Sequence, residues 1–274
     1  HTVDTRCNSR KRPHLSRAKH HKCMEGLWRS YSGIARCGAL FPRSVYIVAR
    51  SAVFGLRIVS MTSEERIKRA FSKASDNYNA NAFVQQRMAE HLAALLPEGE
   101  SFARAFEFGV GTGLLTTHID ARCRVSSWLL NDLSEEMLRN VLPLQGKATF
   151  LPGNVLSYAG DERLTGLNLI TSSAALQWIP EPFSLLQRLS ALLEPGGLLL
   201  ISTFRRGNLN EIASLTGNSL PYFEENDMER FARSAGLRIL SLTSETMRLS
   251  FPSPREVLRH LKSTGTTQLP HFGN

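Results

Sequence analysis

One short segment restricts this chain more than any other. Glu107, Phe108, Gly109, Val110, Gly111, Thr112 and Gly113 stand between the apolar run Ala103–Phe108 and a helix-forming run over 113–119. Three glycines at alternate positions let the backbone turn sharply out of a strand and come close to a ligand before a helix begins. A glycine-rich loop alone is weak evidence, because many such loops are only turns. Its setting gives it weight.

Around that loop, short apolar runs alternate with amphipathic ones. Strands are expected at 103–108, 125–130, 148–151, 167–172 and 197–203, with helices at 113–119, 134–141 and 182–193. This alternation is the pattern of βαβ units and a parallel sheet. Two helices precede the first strand. One opens at Ser63, Glu64 and Glu65 with an acid-rich first turn, and the other covers 79–96 and ends at Pro97. The tail is expected to give a helix over 227–235, an extended stretch over 237–251 and a last helix after Pro254.

The formal charge of +9 raises the question of a nucleic-acid partner. Residues 1–60 hold twelve Lys and Arg against Asp4 and Glu25, a net +10, whereas the rest holds 21 bases against 22 acids, a net −1. The body is neutral, so no nucleic-acid partner is expected.

The same 60 residues carry Cys7, Cys23 and Cys37 and lack helical or strand periodicity. They are expected to be a non-core leader, disordered or translated from upstream of Met61, with an organelle transit peptide as the alternative. The folded body is assigned to 61–274. The spacing of Cys7, His14, His20, His21 and Cys23 matches no regular zinc finger, so no metal site is expected. Arg50 and Arg57 interrupt the apolar run over 45–60, which excludes a membrane span there. Cys123 is the body's one cysteine and suits a reducing, cytoplasmic compartment. A monomer is expected.

Nineteen residues beyond Gly113, at the end of the second strand, stands Asp132. A carboxylate there can accept hydrogen bonds from both hydroxyls of a ribose, or it can cap the helix that starts near Ser134. A dinucleotide fingerprint needs a third glycine where Leu114 stands. The spacing present, with an acid ahead of it, resembles instead the class I methyltransferases that use S-adenosyl-L-methionine. The resemblance implies that Glu107 holds the methionine moiety, alongside Gly109, Gly111 and Gly113. After the third strand, Gly153, Asn154 and Val155 stand where these enzymes often have Gly-Asp and bind the adenine amino group. The side-chain carbonyl of Asn154 could accept from that group.

Further motifs narrow the likeness. Thr171 to Trp178, with its Leu-Gln-Trp ending, the Glu-Pro-Gly-Gly run after Leu193, Thr203 and Phe204, and the His-Leu-Lys-Ser-Thr-Gly run ending at Gly265 occur in this order. With Arg69, Phe71 and Tyr78 they resemble the malonyl-acyl-carrier-protein O-methyltransferases of biotin synthesis over about 65–267. Ser173 departs from the asparagine usual there. That family continues past the Thr-Gly element to a last antiparallel strand, so the expected α/β fold is a Rossmann-like methyltransferase sheet with N-terminal lid helices and without that strand.

The resemblance implies transfer of a methyl group from S-adenosyl-L-methionine to the carboxylate of a malonyl thioester on acyl-carrier protein or coenzyme A. The expected cofactor set also includes Leu133 and Ser173, and the expected catalytic residues are Tyr78, Gln177 and Arg205. Arg205 follows the fifth strand on the cofactor edge and could meet the malonyl carboxylate, or it could be a solvated loop charge. Another small-molecule acceptor, a dinucleotide oxidoreductase and a non-catalytic module are the rival readings.

Overall fold

The computed structural model describes residues 62–217 and 219–266. The expectations for 1–60, and for Met61 as a start, lie outside the described residues.

Five strands form one sheet: β1 (Ser101–Phe108), β2 (Arg124–Asp132), β3 (Lys147–Pro152), β4 (Leu167–Ser173) and β5 (Leu193–Ser202). Their order is β3-β2-β1-β4-β5, and all four pairings are parallel. Chain order reverses between β1 and β4, which opens a crevice at the carboxyl ends of those strands.

The middle stretches of the central strands are mostly apolar because both their faces are covered. On one face Ala105, Trp128, Leu130 and Leu169 pack with Ala89, Leu92, Leu115 and Ile119. The last four come from α3 (Phe83–Ala94) and α4 (Leu114–Arg122). On the other face Phe106, Phe108, Leu129 and Ile170 meet Leu185, Leu186 and Leu189 of α6 (Pro182–Ser190) and Phe231 of α8 (Glu225–Ser234). Adjacent residues such as Ala105 and Phe106 thus serve opposite layers, as the strand period of two requires.

Several boundaries differ from the sequence expectation. The first helix, α1 (Ser63–Ala74), opens at Ser63 as expected, and Thr62 and Glu65 form a reciprocal capping box at its start. The expected long helix over 79–96 is broken at Ala82, which has ψ 45° and separates α2 (Tyr78–Asn81) from α3. Asparagines explain the break, since their side chains compete for backbone groups. Asn81 donates to the Asn77 carbonyl, and Gln86 reaches back to the Asn79 carbonyl.

The expected helix over 134–141 is a single turn, α5 (Glu135–Leu138), cut short ahead of Pro143. Near β5 the helix ends at Ser190, and Leu193 already pairs with Leu167. The next pairing joins Leu169 to Leu198, so Glu194 to Gly197 bulge out of the ladder.

Beyond β5 come α7 (Asn210–Thr216), α8 and α9 (Pro254–Ser263). The stretch 237–251 lies outside the sheet, with Leu240 and Leu242 exposed. Glu245 there receives Arg87 and His91 of α3, each at 3.1 Å.

Candidate active site

The crevice at the switch point holds the candidate site. Glu107, next to last in β1, is 1% exposed and accepts from Thr116 Oγ1 at 2.8 Å. Burial pushes its carboxyl up to about 8; the Thr116 hydrogen bond opposes the rise and the nearby Asp132 charge adds to it.

Asp132 ends the neighbouring strand. Its Oδ2 accepts the Gly111 N–H and its Oδ1 the Ser134 N–H, both at 2.8 Å. Burial raises its carboxyl to about 6 against the pull of these two bonds.

Between the two acids runs the glycine loop. Gly109 has φ +64°, and a Cβ there would stand 2.2 Å from the Ala175 Cβ. Only glycine meets both demands at this crossing of β1 with the loop after β4.

On the β3 side, buried Asn131 donates to the carbonyls of Leu151 and Gly153 and so fixes the loop that carries Asn154. The Asn154 Oδ1 caps the following turn by accepting from Leu156 N at 2.9 Å. Its Nδ2 donates to Glu64 Oε2 of α1 at 2.8 Å.

The first two helices cover the crevice. Phe71 stands edge-on to Trp178, with ring centroids 5.6 Å apart, and tilts against Tyr78 at 6.4 Å. Ser72 Oγ donates to Glu136, and Asn79 accepts from Thr112. Tyr78 is buried, and burial together with the Asp132 charge raises its phenol, which therefore stays protonated at neutral pH.

Most of the residues singled out in the sequence come together here. Tyr78, Glu107, Gly109, Gly111, Asp132, Leu133, Asn154, Val155 and Ser173 all line one cavity. Three do not. Gly113, at φ +82°, is the N-cap of α4. Gln177 is buried behind the wall, donating to the Ala174 carbonyl at 2.6 Å and accepting from Thr203 at 3.2 Å. It braces Ala174, which holds a left-handed φ of 54° at the cavity.

Arg205 stays out of the cavity lining and is half exposed, paired with Glu225 at 3.3 Å. That pairing, along with the backbone bridge from Arg205 to Phe223, directs it toward α8 instead of an acceptor.

The sequence reading missed Glu64, Ile67 and Gln85, which also line the cavity. Glu64 reads in sequence as an ordinary first-turn acid. Only its position opposite Asn154 gives it another use.

The lining contains Glu64, Glu107 and Asp132 and, among the described residues, no Lys, Arg or His. One buried acid, Glu107, and one partly buried acid, Asp132, both with raised pKa and with no cation in the lining, suit a ligand that brings positive charge. The sulfonium and ammonium of S-adenosylmethionine meet that need, and at Gly111, where a Cβ would meet nothing within 4 Å, the backbone of the loop lies open to the cavity. Among the described residues, no group of three His, Cys, Asp or Glu could hold a metal ion, and no helix is long and apolar enough to cross a membrane.

Known proteins agree with this chemistry. The Methyltransferase domain family matches residues 80–242. The chain is 33% identical over 203 residues to the malonyl-acyl-carrier-protein O-methyltransferase of Acinetobacter baylyi, covering 73% of this chain and 78% of that one. It is 36% identical over 207 residues to the protein of the same name from Bacteroides thetaiotaomicron, covering 74% and 78%. Among solved structures, a chain from the complex of the Haloferax volcanii Trm112 methyltransferase activator with a methyltransferase superposes with a TM-score of 0.56 at 16% identity. That likeness covers 73% of this chain and 92% of the other, and it concerns the fold. The chain thus belongs to the S-adenosylmethionine-dependent methyltransferases, as a member of the malonyl-acyl-carrier-protein O-methyltransferase family.

Proposed function

We propose that this enzyme methylates the free carboxylate of a malonyl thioester carried on acyl-carrier protein, a precursor step in biotin synthesis. The observation that carries this reading is the run of relatives with that name at 30–36% identity, most of them matched over about four fifths of their length.

S-adenosylmethionine, when bound, supplies an electrophilic methyl on a sulfonium. Glu107 and Asp132 hold the charged and hydroxylated parts of that cofactor, Leu133 and Val155 give its base apolar walls, and Ser173 closes the methionine end. A carboxylate acceptor is ionised at neutral pH and needs no general base. What it needs is alignment and loss of its water.

The cationless lining supports that chemistry. A carboxylate held by an arginine would have its nucleophilic lone pairs engaged in the ion pair, whereas this lining offers no Lys, Arg or His to compete with the sulfonium. Phe71, Tyr78 and Trp178 exclude water, and the neutral phenol of Tyr78 can steer one carboxylate oxygen by donating to it.

The test is transfer from labelled S-adenosylmethionine to malonyl-acyl-carrier protein, malonyl-coenzyme A and free malonate. Preferred methylation of the carrier-bound thioester is expected. Equal or better turnover of unrelated small molecules would refute it.

A further inference from the structure

The order of strands lays the cavity out in sequence. Glu107 is next to last in β1, Asp132 ends β2, and Asn154 follows β3, which is the outermost strand on that side. With the charged end of the cofactor at Glu107 and the ribose at Asp132, the adenine falls beside Asn154 and the first turn of α1. The acceptor for its exocyclic amino group must come from there.

Asn154 is poorly suited to that task by itself. Its orientation is fixed by its neighbours: Leu156 N can only donate, so the atom facing it at 2.9 Å is the carbonyl oxygen. The amide nitrogen then points to Glu64, where it donates to Oε2 at 2.8 Å. The carbonyl keeps one lone pair but is turned to the Leu156 N–H, and the group that Asn154 aims at α1 is a donor. An adenine amino group is also a donor, so the two do not match.

Glu64 does match. Its carboxylate lines the same cavity, lies within hydrogen-bond reach of the Asn154 amide and offers about four acceptor sites, of which Asn154 takes one. We propose that Glu64, held by Asn154, is the acceptor for the adenine amino group, so that the base-specific carboxylate is supplied by the lid helix and not by the loop after β3. Asn154 is then the positioning residue and Glu64 the recognition residue. Because Glu64 belongs to α1, recognition of adenine also draws the lid onto the cofactor. This inference rests on the adenosylmethionine reading of the cavity.

The experiment uses the full chain and isothermal titration with two ligands, S-adenosylhomocysteine and its analogue with unsubstituted purine in place of adenine. The wild type is expected to bind the adenine compound at least tenfold more tightly. Glu64→Ala should bring the two affinities within about threefold of each other, chiefly by weakening the adenine compound. Glu65→Ala removes the neighbouring acid of the capping box, and should weaken both ligands alike while leaving their ratio unchanged. A wild-type ratio retained in Glu64→Ala would overturn the proposal, as would a wild type that does not discriminate. Failure of the wild type to bind S-adenosylhomocysteine at all would instead sink the cofactor reading, and this proposal with it.

Discussion

The Asp132 carboxylate accepts the backbone N–H of Gly111 at 2.8 Å, tying the tip of β2 to the loop that leaves β1. One side chain therefore shapes the glycine loop and faces the cavity. Asp132→Ala is expected to lower S-adenosylhomocysteine affinity by about 2 kcal/mol or more, since a charged acceptor for two hydroxyls is lost. Titration calorimetry measures it, and unchanged affinity would exclude the ribose role.

The raised carboxyls of Glu107, about 8, and Asp132, about 6, predict a pH dependence. Between the ordinary carboxylate range and these values the folded protein binds more protons than the unfolded chain, so the stability of the ligand-free protein falls as pH rises. The fall should run from about pH 4.5 to about pH 8 and then level off. Thermal melts across that window should show it, with a shallower slope in Glu107→Gln. Affinity for S-adenosylmethionine should change in the opposite sense and strengthen with pH as both acids ionise against its positive charge.

Gly109 and Gly99 form a matched pair. Both have positive φ, +64° and +79°, but a Cβ at Gly99 meets nothing within 4 Å, whereas one at Gly109 would collide with Ala175. Gly99→Ala is expected to cost roughly 1–2 kcal/mol of stability from backbone strain alone. Gly109→Ala should cost clearly more and abolish cofactor binding. Denaturant melts and calorimetry on the two variants separate strain from collision.

Tyr78→Phe should reduce turnover several-fold while leaving S-adenosylhomocysteine affinity and the melting temperature near wild type, because the ring still packs beside Phe71. Deletion of residues 62–80 should abolish turnover. Full activity in the deletion would refute a lid role for these helices.

How far the sequence could be read depended on whether a feature is local. The glycine loop, Asp132 at a strand end and the alternation of strands and helices follow from neighbouring residues, and each was legible. Arg205 was placed in the site by its position after a strand and Gln177 by the Leu-Gln-Trp motif of the resemblance, yet their directions are set by other partners, Glu225 in one case and Ala174 with Thr203 in the other. The break at Ala82 depended on asparagine side chains capturing backbone carbonyls, which no hydrophobic period reports. Glu64 was invisible because its meaning lies in a contact 90 positions away.

The reversal of strand order between β1 and β4 has an evolutionary consequence. Glu107, Asp132 and Asn154 lie on one side of that seam, while Trp178, Ile179 and Pro180 reach the cavity from the other. Substitutions beyond the seam can reshape what approaches the methyl group without disturbing the strands proposed to hold the nucleoside. A hybrid that joins residues 62–166 to the corresponding second half of a relative with a different acceptor should keep its appetite for the cofactor and inherit the relative's taste in substrate.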